Sequence, residues 1–76
     1  MTKYKNLSGG SGVDKYLITD TSIKIQFVKS NKVYVYNHIK PGSSHVIKMK
    51  ELAEAGRGLA TYISQIIKKN YHSIES

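Results

Sequence analysis

Tyr34 and Tyr36 are separated by one residue in the run Lys32-Val33-Tyr34-Val35-Tyr36-Asn37. Residues spaced by two share a face of a strand, so the pair can form one aromatic surface. Bases stack on such surfaces for about 1–3 kcal/mol each, and lysines neutralise phosphate charge. If Val33 and Val35 face a helix, the tyrosines lie on the open side of the sheet. Lys24 and Gln26 of the preceding strand would then join them in an aromatic and basic platform. The plainer alternative puts both tyrosines in the core or in an interface, with their hydroxyls at the rim. The alternation leaves both open.

A second candidate is Gly56-Arg57-Gly58. Backbone amides at a helix start can bind an anion, and a guanidinium can grip phosphate with two parallel bonds. The plainer reading is that small residues let a helix approach the sheet. Lys32, beside the tyrosines, is a further phosphate contact. The stretch Ser8-Gly9-Gly10-Ser11-Gly12 resembles a phosphate loop only in composition. Such loops need a strand before them and a helix after them, and the flanking residues supply neither. A flexible arm carrying Lys3, Tyr4 and Lys5 is expected instead, free to close over an anionic ligand or reach a second subunit.

No catalytic set emerges. His38, His45 and His72 lack metal-ligand spacing, and there is no cysteine to support them. The five acidic residues form no evident acid–base pair. Ser43 and Ser44 beside His45 read as a turn and a helix cap. The expectation is a non-enzymatic protein with no metal and no cofactor.

The elements that must hold these residues follow from periodicity. Val13–Thr19 reads as a first strand. Ile23, Ile25 and Phe27 alternate along residues 22–28, and residues 32–37 form a second member of a hairpin closed by Lys29-Ser30-Asn31-Lys32. Pro41 and Gly42 break the sheet. Ser43 or Ser44 is placed to cap a helix over residues 44–56, with Val46, Met49, Lys50 and Ala53 along one side. Leu59, Tyr62, Ile63, Ile66 and Ile67 make the clearest helical stripe, ending near Lys68, Lys69 and Asn70. The expected fold is α+β. Two or three antiparallel strands are followed by one broken helix or two helices, packed on one face. The expected organisation is a flexible arm at 1–12, one domain at 13–72 and a tail at 73–76.

A chain of 76 residues buries only about 60% of its unfolded surface, so an oligomer is expected to help cover apolar area. The formal charge of +7 favours an acidic partner. Seven lysines and two aspartates fall in the first forty residues. No apolar run approaches the roughly 20 residues of a membrane span. The polar start and the absence of cysteine fit a cytoplasmic protein.

Tyr34-Val35-Tyr36, with the elements around it, resembles the KTSC domain, a small module of bacterial proteins also found at the C-terminus of some lysyl-tRNA synthetases. Ile23-Lys24-Ile25-Gln26-Phe27 matches its alternating strand, and Ile39-Lys40-Pro41 its proline-bearing turn. Gly56-Arg57-Gly58-Leu59-Ala60 matches its small-residue stretch, and Ile67-Lys68-Lys69-Asn70-Tyr71 its ending. The likeness spans roughly residues 13–71. Gly58 and Ala60 stand where the family has serine and glycine, the proline falls one place late, and the glycine-rich arm lies outside the pattern. The resemblance implies a fold more than an activity; RNA binding is implied only by association with a synthetase.

The leading expectation is a binding module for single-stranded RNA or a small nucleotide. Tyr34 and Tyr36 would stack, and Lys24, Lys32, Arg57 and Gly58 would hold phosphate. The alternative is a small phage or mobile-element type of protein that inhibits or sequesters a host component, either an acidic protein surface or a nucleotide messenger.

Overall fold

The structure, a computed structural model, describes residues 1–7 and 9–75. Strands β1 (Thr2–Lys3), β2 (Val13–Ile18), β3 (Ser22–Phe27), β4 (Val33–Asn37) and β5 (Ser73–Glu75) form one antiparallel sheet in chain order. Helix α1 (Ser43–Ala55) and helix α2 (Leu59–Tyr62) separate β4 from β5. α2 runs on as a π-helix over Ile63–Ile67. The fold is α+β, as the periodicity predicts, with helices on one face of a meander.

The hydrophobic alternation builds the core directly. Ile23 and Ile25 of β3 meet Val46, Met49 and Ala53 of α1 and Leu59, Ile63 and Ile67 of the second helix. Burying each large aliphatic side chain contributes roughly 1.5–3 kcal/mol. Gly56 ends α1 in a left-handed conformation, φ 78°, and its amide donates to Leu52 O and Ala53 O. Gly58, φ 79°, starts the second helix.

Four sequence expectations change. The arm is not free: β1 pairs with β2, and Tyr4 is only 3% exposed within the core. Its backbone is tied down where Leu7 N–H donates to Gly56 O at 2.7 Å. Asn6 Oδ1 accepts from Ser11 N–H, closing the glycine-rich loop locally. The tail is not free either, because Ser73–Glu75 pairs with β4 as the far edge of the sheet. Neither serine caps α1; Gly42 takes that position without a side-chain bond. Finally, Ile66 of the expected apolar stripe is 54% exposed. Bonding five residues back, rather than four, unwinds this turn and rotates Ile66 outward while Ile67 stays buried.

Candidate ligand-binding cleft

The register of the hairpin fixes the orientation of the tyrosines. Tyr36 pairs with Ile23 and Tyr34 with Ile25, so both rings point to the helix-covered face. Lys24 and Gln26 pair with Val35 and Val33 on the opposite face. The expected platform of tyrosines with Lys24 and Gln26 on the open side is therefore absent, and the plainer alternative holds for Tyr36, which is 1% exposed. Tyr34 is half-buried against the same core.

The tyrosines nevertheless line a cleft. It has a volume of about 300 Å³ and opens between Phe27, Tyr34, Tyr36 and Tyr71, with Ile63, Lys68 and Lys69 completing the wall. It lies toward the β3–β4 turn, since Phe27 ends β3 and Tyr34 stands near the start of β4. The rings are packed edge to face. Phe27 and Tyr34 have centroids 5.3 Å apart at 77°, Tyr34 and Tyr71 5.0 Å at 83°, and Tyr36 and Tyr71 6.3 Å at 87°. Each positive ring edge thus meets a negative ring face, which rigidifies the wall. Burial pushes the Tyr36 phenol well above its ordinary range, and the neighbouring Tyr34 and Tyr71 phenols push the same way. Tyr36 stays neutral and hydrogen-bond capable at physiological pH.

The basic wall comes from the end of the π-helix. Lys68 has φ 56° and ψ −122°, and Asn70 N–H donates to Ile67 O at 3.0 Å. These are the marks of a type II′ turn over Ile67–Asn70 with Lys68 at its second position, where glycine is the usual occupant. Past the turn, His72 N–H donates to Val35 O and returns the chain to the sheet beside Tyr71. Among the described residues, the ion pairs are Lys3–Asp14 and Lys24–Glu75, so neither Lys68 nor Lys69 is neutralised.

The other expected phosphate contacts are dispersed. Lys24 lies on the far face and donates to the Glu75 carboxylate at 3.2 and 3.3 Å. Lys32 is exposed in the β3–β4 turn, two residues before Tyr34, at the same end of the sheet as the cleft but outside its lining. Arg57 is exposed between two left-handed glycines, and the first amide of the second helix, Leu59 N–H, is already bonded to the Tyr4 hydroxyl. Gly58 answers to backbone conformation; an added Cβ there would meet only Leu52, at 3.5 Å. Phe27, Lys68, Lys69 and Tyr71 are the site residues that the sequence reading passed over. The signal of Lys68, Lys69 and Tyr71 was present in the Lys-Lys-Asn-Tyr ending, read there only as a helix terminus and a family motif, while Phe27 was read only as an apolar position of its strand.

Among the described residues no group of three or more metal-ligating side chains is assembled, and no helix is long and apolar enough to cross a membrane. Compared with protein-family models, curated proteins and solved structures, the chain finds no match. The likeness to the KTSC domain therefore rests on its quoted motifs.

Proposed function

We propose that this protein is a non-enzymatic binding module for a phosphate-bearing aromatic ligand, a nucleotide or the nucleotide unit of an RNA. The observation that supports it is the meeting of Phe27, Tyr34, Tyr36 and Tyr71 with Lys68 and Lys69 around a cleft of about 300 Å³. That volume is at the small end of ligand pockets, which run from about 300 to 1,000 Å³. The aromatic walls offer a face or an edge to a planar base, and the lysines supply charge for a phosphate. The excess of positive charge over the whole molecule, +7, would draw such an anion in from solution.

The test is calorimetric titration of the purified protein with ribonucleotides and a short single-stranded RNA. Tyr71→Ala is the informative variant, because Tyr71 is half-buried at the cleft wall while Tyr36 belongs to the core. Loss of one stacking partner is expected to cost about 1–3 kcal/mol of binding, with the far-UV circular dichroism unchanged. Absence of binding by the wild-type protein, or full binding by a folded Tyr71→Ala variant, would overturn the proposal.

A further inference from the structure

The geometry points to a narrower ligand class, and the inference rests on the reading above: the cleft takes a single nucleotide ending in a phosphomonoester, either free or at the end of a strand, with Lys68 and Lys69 on its terminal phosphate.

The ring geometry limits the number of bases. Consecutive bases of a strand stack parallel to one another and need exposed ring faces in series. Here the three close ring pairs are tilted at 77°, 83° and 87°, so adjacent rings present edges to one another's faces. Neighbouring rings therefore do not form the run of parallel faces that a stacked strand needs, and the wall suits a single base better than a series.

The charge pattern points the same way. Lys68 and Lys69 are consecutive residues of one tight turn, and both line the cleft. A terminal monophosphate carries nearly two negative charges at neutral pH, whereas an internal diester carries one. Two consecutive lysines of the cleft wall without carboxylate partners among the described residues match the former.

The backbone of Lys68 supplies an independent argument. A non-glycine residue at φ 56°, ψ −122° costs on the order of 1–3 kcal/mol, and such residues concentrate where a ligand is gripped. The turn would form more easily with glycine at that position. Lysine at the strained position, in a residue of the cleft wall, is explained if its ammonium does something for the ligand that glycine cannot. The π-helix leading into it, Ile63–Ile67, is a rare form that occurs frequently at functional sites.

The experiment compares, by calorimetry, the ribonucleoside 5′-monophosphates, the matching nucleosides, and one short RNA carrying either a 5′-phosphate or a 5′-hydroxyl. The phosphorylated member of each pair is expected to bind about tenfold tighter or more, from the charge-assisted bonds it alone can make. Lys68→Gly is expected to lose most of that preference while melting at or above the wild-type temperature; Lys69→Ala is expected to reduce it without the gain in stability. Equal affinity for phosphorylated and unphosphorylated probes would overturn this inference and leave the base-binding cleft standing. Undiminished phosphate preference in Lys68→Gly would overturn the role of Lys68. No binding of any probe by the wild-type protein would overturn both this inference and the proposed function beneath it.

Discussion

Tyr36 shows how a single side chain can be both core and cleft wall. Its ring packs with Ile23 and Ile25 at the centre of the sheet, yet it also lines the cleft with Tyr71. The sequence left its direction open for a physical reason. Val33, Tyr34, Val35 and Tyr36 are apolar at both parities, so alternation alone cannot choose the inward face. The register with Ile23 and Ile25 makes the choice. Burial raises the Tyr36 pKa, and that gives a prediction with a definite sign. Unfolded tyrosine ionises near pH 10. Above that pH the unfolded chain has released this proton and the folded chain still holds it, so stability falls as pH rises. The contribution is fully present below about pH 10 and is lost above it. Thermal melts between about pH 9 and pH 11 are expected to show a smaller alkaline decline in Tyr36→Phe than in the wild type. Parallel declines in the two proteins would show that Tyr36 does not hold its proton more tightly when folded.

The elements divide by length in how far they were legible. β3 and β4 alternate clearly enough to declare themselves, whereas the weaker period of β2 left the strand count at two or three and that of α1 was only fair. β1 and β5 are 2 and 3 residues long, too short to show a period, and exist because a neighbouring strand offers its edge. The π-helix is equally silent in the sequence: its residues fit an α-helical stripe, and the bonding five residues back and the exposure of Ile66 show the unwinding. The cleft went unread for the same reason, since β5 and the turn before it bring Tyr71 against Tyr34. The junction between α1 and the second helix was read more nearly correctly, and it can be tested. Both glycines there have positive φ, where a side chain costs roughly 1–2 kcal/mol. Gly56 adds a steric term, because a Cβ would stand 2.7 Å from Lys5 Cβ in the segment that follows β1. At Gly58 the nearest atom would be at an ordinary 3.5 Å. Urea denaturation is expected to rank Gly56→Ala as more destabilising than Gly58→Ala, with Gly58→Ala losing only about 1–2 kcal/mol. A reversed order would mean that the segment around Lys5 and Leu7 yields readily beside Gly56.

On the scale of the whole molecule, both ends of the described chain serve as edges of the sheet, and the thin core between the sheet and the helices leaves little reserve. At roughly 0.05–0.15 kcal/mol per residue, 76 residues amount to about 4–11 kcal/mol of total stability. Tyr4 draws on a large part of it. Its ring is almost fully buried, and its hydroxyl accepts the Leu59 N–H at 3.3 Å, so the residue following β1 holds the start of the second helix. That helix runs on through Ile63 and leads directly into Lys68 and Lys69, which makes the N-terminal segment around Tyr4 a distant support of the cleft. Tyr4→Phe keeps the ring and leaves a buried amide without its partner, a loss of about 1–3 kcal/mol. Tyr4→Ala also opens a cavity of aromatic size, a loss of about 3–5 kcal/mol or more. In a domain this small each kcal/mol moves the melting temperature by about 4–8 °C. Calorimetry should therefore find Tyr4→Phe melting several degrees below the wild type, and Tyr4→Ala marginal or unfolded near room temperature. If Tyr4→Ala melts within a few degrees of the wild type, residues 1–7 are an appendage after all, and the second helix stands without them.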